Sequence, residues 1–242
     1  MAGLLLACTS KNLEEQKIQA EASRNLGEAY LGQSRFRAAL KEFKKAEQLH
    51  PADHILQDDL GLAYFYLNEP DRAIVHFKKA LALKDDYTPA RNNLGNAYAE
   101  NKQWDKAIEQ YKLVLADLMY ATPHFPLSNL GLVYYELRKY ELAEQYFYKA
   151  LKLQPDFSGA LYGLGKTYVA MGRLSEAITK LEKAAEIAPE SAAVQWELAN
   201  AYAMNREYQK AYNAYHKVVK LAPGTQQADQ ALRQAESIKN FF

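Results

Sequence analysis

The sequence predicts an all-α protein, a stack of six helix–turn–helix repeats closed by one further helix. Three observations predict it. A short string, Leu-Gly-x-x-Tyr, recurs at a nearly constant period of 34 residues. Small and bulky residues recur at fixed offsets behind each copy. Between these landmarks apolar residues fall at i, i+3, i+4 and i+7, the spacing of one helix face.

The copies are LGEAY (Leu26 to Tyr30), LGLAY (Leu60 to Tyr64), LGNAY (Leu94 to Tyr98), LGLVY (Leu130 to Tyr134) and LGKTY (Leu164 to Tyr168). LANAY (Leu198 to Tyr202) is a sixth, and the spacings are 34, 34, 36, 34 and 34. Thirteen residues after each Leu stands an alanine: Ala39, Ala73, Ala107, Ala143, Ala177 and Ala211. Four further on comes a bulky residue: Phe43, Phe77, Tyr111, Phe147, Leu181 and Tyr215. A small residue follows three later, from Ala46 to Val218, and Pro51, Pro155, Pro189 and Pro223 close four of the units. Each unit reads as two amphipathic helices. The small residues let their backbones approach, and the Tyr and the bulky residue fill the gap. Gly32-Gln33-Ser34, Asn68-Glu69-Pro70, Asn101-Lys102 and Met171-Gly172-Arg173 mark turns between helices. A single helix pair cannot bury its own apolar face, so successive pairs must stack.

In chain order, residues 1–8 are an apolar segment ending in the single cysteine, and residues 9–19 are a polar tether. The repeats occupy 20–53, 54–87, 88–123, 124–157, 158–191 and 192–225. Residues 226–242 form a capping helix and tail, with Ala228, Ala231, Leu232, Ala235 and Ile238 on one face and polar residues on the other. The two extra residues of the third repeat fall in Ala116 to Leu132 and read as a helix extension with a local bend.

Thirty Lys+Arg against 29 Asp+Glu leave a formal charge of +1, which offers no field for nucleic acid. One Cys excludes an intrachain disulfide and a cysteine-based zinc site. No apolar run reaches the 18 or more residues of a membrane-spanning helix.

The repeated residues resemble the tetratricopeptide repeat (TPR) over about residues 20–225. The resemblance implies a right-handed solenoid whose first helices line a concave, protein-binding surface. Residues five before, two before, two after and five after the Leu of each string then face inward. On this reading the groove carries Leu62, Phe65, Asn92, Asn96, Asn129, Leu132, Tyr135, Tyr162, Lys166, Trp196 and Asn200. Asn92, Asn93, Asn96 and Asn129 are expected to cluster, and amides that donate and accept hold a peptide backbone without reading its sequence. The large apolar residues either form the binding surface or pack between repeats. Asn96 and Asn129 match the two asparagines of the family's carboxylate clamp. Its cationic places are filled by Asn92, Gly159 and Gly163, so the clamp is incomplete.

Other signals do not amount to chemistry. GALYGLGKTY (Gly159 to Tyr168) nearly spells a phosphate-binding loop. Its first glycine is one place off, and the segment belongs to a helix whose amides are already used. His50 and His54 flank Pro51 and share no helical face, so no metal is expected, and no cofactor. The pairs Asp58-Asp59 and Asp85-Asp86 are expected at helix starts, where negative charge suits the helix dipole. No nucleophile–base arrangement is present, so the chain reads as a non-enzyme.

Leu5-Leu6-Ala7-Cys8 resembles the bacterial lipobox, in which Cys8 would be lipidated. The preceding apolar stretch is shorter than a signal segment and lacks a basic start. Either part of that segment lies upstream of Met1, or the stretch is a chance apolar N-terminus. Six such repeats behind a lipobox, with a lengthened third repeat, resemble the PilF/PilW family of outer-membrane lipoproteins of type IV pilus biogenesis, the pilotins. The resemblance implies a scaffold in the bacterial envelope, facing the periplasm, that binds a secretin or pilus-assembly protein. It would contact membrane only through a lipid on Cys8. The alternative is a general envelope adaptor lipoprotein presenting partners to proteases or cell-wall enzymes.

Overall fold

The computed structural model describes the backbone of residues 2–242 and the side chains of residues 13–242. Cys8 and its proposed lipidation therefore lie outside the described side chains. Among the described residues the secondary structure is entirely helical, as expected, with thirteen α-helices and a terminal 3-10 turn. The chain forms two compact units, residues 1–120 and 121–242.

The first unit holds three helix pairs: α1 (Ala2–Gly32) with α2 (Phe36–Leu49), α3 (His54–Tyr66) with α4 (Pro70–Leu83), and α5 (Thr88–Glu100) with α6 (Trp104–Ala116). The second holds α7 (His124–Glu136) with α8 (Tyr140–Leu153), α9 (Ser158–Ala170) with α10 (Leu174–Ile187), and α11 (Ala192–Met204) with α12 (Tyr208–Leu221). There α13 (Gln226–Ile238) packs on α12 through Ala228, Ala231, Ala235 and Ile238. Inside each unit the second helix of a pair also packs on the first helix of the next.

The repeat landmarks form the core. The alanines Ala39, Ala73, Ala107, Ala143, Ala177 and Ala211 are fully buried, as are Phe43, Phe77, Phe147 and Leu181. The glycine of each Leu-Gly string makes room for a side chain more than for a backbone. Gly27, Gly61, Gly95, Gly131 and Gly165 lie directly under Phe43, Phe77, Tyr111, Phe147 and Leu181 of the partner helix. Phe147 is enclosed twice, by Gly131 on α7 and by Gly163 on α9.

All six turns within pairs close the same way. The tyrosine carbonyl of the string accepts an N–H from five residues on (Tyr30 from Arg35, Tyr134 from Lys139, Tyr202 from Glu207). The residue between them is left-handed: Ser34, Asn68, Lys102, Arg138, Gly172 or Arg206, with φ from 55° to 74°. This is the Schellman ending of a helix. It is built here mostly without glycine, and the turn at Arg138 carries no Gly, Asn or Pro to mark it. Asp53, Ser191 and Thr225 cap α3, α11 and α13 through side-chain oxygens.

Two expectations are corrected. The added residues of the third repeat do not extend a helix: α6 stops at Ala116, and an irregular turn follows. The Asp117 carboxylate fixes it by accepting the Met119 N–H and the Thr88 hydroxyl, and Leu118 and Met119 stand 95% and 90% exposed. Asp58 and Asp59 are not at a helix start but inside α3 and buried, whereas Asp85 and Asp86 lie in the turn before α5.

Candidate functional site

The expected groove residues fall into two groups, one on each unit. In the first unit, α3 carries Leu62 and Phe65, both half-buried, and Phe65 meets Tyr66 edge-on at 5.8 Å. Asn92 is buried rather than open, with its Oδ1 unpartnered. Asn93 donates to Asp58 at 3.1 Å, and Asn96 accepts the Tyr111 hydroxyl at 2.8 Å. The asparagines of this unit are thus drawn into internal contacts. The position two before the Leu packs inward at Asp58, Asn92 and Ser128. Where it is a large aromatic, Tyr162 or Trp196, it stays partly exposed.

In the second unit, first helices supply a denser cluster. α7 brings Asn129, Leu132 (38% exposed) and Tyr135, α9 brings Tyr162 and Lys166, and α11 brings Trp196 and Asn200. α9 touches both α7 and α11. The Lys166 ammonium lies 4.7 Å from the Tyr135 ring centre and 5.6 Å from that of Tyr162. Such cation–π contacts contribute about 0.5–2 kcal/mol depending on desolvation. No carboxylate lies within ion-pair distance of Lys166 among the described residues. The GKT stretch that carries it is helix throughout.

Glu197 is the residue sequence reasoning missed. Burial raises its carboxyl above the usual range, while the Lys166 charge and a hydrogen bond with Asn200 pull the other way. Burial, then the Glu197 charge, raises the Tyr135 phenol and pushes Tyr162 up to about 12. Trp196 packs edge-on against Tyr215 at 5.7 Å, and the Tyr215 hydroxyl donates to Asn200 Oδ1 at 2.8 Å. A sequence signal existed: Asn stands at this register only in repeats three and six, the two whose bulky core residue is Tyr, so Asn96 and Asn200 each receive that hydroxyl.

The cluster offers aromatic faces, one donor cation and one acceptor carboxylate. That set suits an apolar side chain and the amide groups beside it. It contains no aligned nucleophile and base. Among the described residues no three His, Cys, Asp or Glu side chains are grouped to hold a metal ion. Gly163 lies against Phe147, so the clamp's missing cation could not be accommodated there. No described helix is long and apolar enough to cross a membrane.

Tetratricopeptide repeat models match residues 64–118, 126–157 and 192–225, and a TPR repeat model matches residues 165–205. Together they cover well over half of the sequence, and the chain belongs to the tetratricopeptide repeat family, a fold that serves as a protein-interaction scaffold. No curated protein matches it. Among solved structures it is similar to PilW, a widely conserved type IV pilus biogenesis factor, with TM-score 0.79 and 22% identity over 88% of this chain and 98% of that one. It is also similar to Pseudomonas aeruginosa PilF, with TM-score 0.74 and 20% identity over 91% and 99% of the two chains. A third is YrrB, a TPR protein with an unusual peptide-binding site, with TM-score 0.54 and 24% identity over 79% and 97%. At these identities the likeness defines the fold.

Proposed function

We propose that the protein is a bacterial envelope scaffold of type IV pilus biogenesis, an outer-membrane lipoprotein anchored through Cys8 that engages a secretin or another pilus-assembly protein. The observation that carries the binding part is the Tyr135–Tyr162–Lys166–Glu197–Trp196 cluster on three first helices, in which the three aromatic side chains are partly exposed. The pilus assignment is supported by likeness to PilW and PilF along nearly the whole of all three chains. The anchor is supported by Leu5-Leu6-Ala7-Cys8.

The test is a crosslinked capture from the native envelope, using protein expressed with its complete signal segment. A secretin or pilus-assembly protein should be the main capture. Tyr162→Ala with Lys166→Ala should reduce it at least tenfold while the melting temperature stays within a few degrees. Proteases or cell-wall enzymes as the main capture would overturn the pilus reading in favour of a general adaptor. In the same cells, Cys8→Ser should move the protein from the membrane to the soluble fraction, and unchanged membrane association would overturn the anchor.

A further inference from the structure

Asp58 and Asp59 are neighbours in the interior of α3, about 100° apart around the helix, so they face different helices. Asp58 meets α5, where Asn93 donates to both its oxygens at 3.1 and 3.3 Å. Asp59 meets α1, where its surroundings are Arg24 and Glu28. Both aspartates are more than nine-tenths buried. Asp59 Oδ2 has no hydrogen-bond partner, and neither has Arg24 Nε. The Arg24 guanidinium is already engaged, donating to Asp53 at 2.9 Å and lying 3.2 Å from Glu28. Three carboxylates, Asp53, Asp59 and Glu28, thus share one cation at the contact between the first helix pair and the second, and Asp58 beside them has only the Asn93 amide.

Among the described residues no second cation acts on either aspartate. From the α5 side the facing groups are Asn93 and the Tyr87 phenol, with His54 of α3 edge-on to Tyr87 at 4.8 Å and Lys84 5.8 Å from the Tyr87 ring centre on its own side. The charged groups of α2 and α4 that pack on α3 gather elsewhere. Glu47, Lys79 and His76 surround Gln57, and Lys44 lies over Tyr64. An unpaired buried carboxylate is costly, and the usual relief is to hold a proton.

We propose that this cluster is a proton-dependent clasp between the first and second helix pairs, closed while Asp59 is protonated and loosened when it ionises beside Asp53, Asp58 and Glu28. Burial, with Asn93 opposing, pushes Asp58 up to about 6; burial, then the charges of Glu28 and Asp58, pushes Asp59 up to about 8. Both lie above the unfolded value of about 3.9, so the closed state holds the extra protons. Its stability is complete below that value and is lost as pH rises through the two folded values. Each proton released raises the opening constant by up to roughly tenfold per pH unit. Between about pH 6 and 8 the Asp59 proton alone corresponds to an opening up to about a hundredfold more frequent. α3 also carries Leu62 and Phe65, so the clasp governs how firmly that helix is backed. This inference does not rest on the pilus assignment.

The test uses the full chain, carbon-13 labelled, in two measurements. Carboxyl carbon shifts followed from pH 3 to 9 should show two aspartates titrating between about 6 and 8, both missing in Asp58→Asn/Asp59→Asn. Amide exchange, corrected for intrinsic rate, should show the end of α1 and the turn at residues 33–35 losing protection at least tenfold between pH 6 and 8. In Asp59→Asn, which stays neutral, that loss should largely disappear. In Asp85→Asn, altered in an exposed turn, it should persist. The clasp is overturned if the two carboxyls titrate near 4, or if protection at the end of α1 is level across this range. Because the titration is read in the unaltered protein, misfolding of a variant would not spare the proposal.

Discussion

Phe147 gives the sharpest test of how the helix pairs are joined. Its ring is fully buried between α7 and α9, touching both at positions that have no Cβ, Gly131 and Gly163. A Cβ at Gly163 would fall well inside contact distance of Cζ and Cε1 and would lie 3.1 Å from Cε2, against an ordinary 3.4–4 Å. The ring would have to withdraw by roughly an ångström, and a shift of that size in a packed interior is costly. Room for withdrawal is small, because the α7 backbone at Gly131 also lies against this ring, so close that a Cβ there would stand only 2.7 Å from Cε1. Overpacking costs about 1–3 kcal/mol, and for a fully buried ring held close by two helix backbones the upper end applies. Alanine regains about 1 kcal/mol over glycine in a helix interior. Gly163→Ala should therefore destabilise the protein by about 2 kcal/mol, measured as a lower midpoint in urea by far-ultraviolet circular dichroism. In a Phe147→Leu background most of that penalty should vanish, since leucine serves the same register at Leu181 over Gly165. A coupling of at least about 1 kcal/mol is expected. A neutral Gly163→Ala, or additive substitutions, would refute the enclosed-ring account.

Three further outcomes are expected. Arg138→Gly, at φ 57°, should raise stability by about 0.5–1 kcal/mol, because the left-handed penalty of about 1–2 exceeds the entropy glycine loses. A lower melting temperature would mean that the Arg138 side chain contributes more than the turn. Tyr215→Phe removes the hydroxyl from Asn200 and should cost about 1 kcal/mol by urea denaturation. Phe147→Tyr, introducing a hydroxyl where Leu132 stands in place of an asparagine, should not be stabilising, and a gain there would break the Tyr–Asn pairing rule.

The sequence by itself determined the repeat, the helix pairs and the core. These rest on local spacing: a 34-residue period and an i, i+3, i+4 pattern need no knowledge of what packs where. It also marked the turns that carry Gly, Asn or Pro. It did not reveal the one at Arg138, because an arginine held left-handed by a repeated hydrogen-bond pattern has no signature of its own, whereas Asn205-Arg206 repeats the spelling of Asn101-Lys102. Lys166, Tyr162 and Trp196 were legible as first-helix residues of the right register. Only tertiary packing decided that Lys166 rests over Tyr135 of α7, and that Glu197, unremarked in the sequence, completes the cluster. The asparagines read differently in three dimensions, since a side chain's availability depends on which partner reaches it first. Tyr111 takes Asn96, Tyr215 takes Asn200 and Asp58 takes Asn93. Asp58 and Asp59 show the same limit most plainly. Spelled in one dimension they are a polar pair suited to a surface. Two neighbouring helices bury them, and that burial, a property of no single segment, gives them their proton affinity.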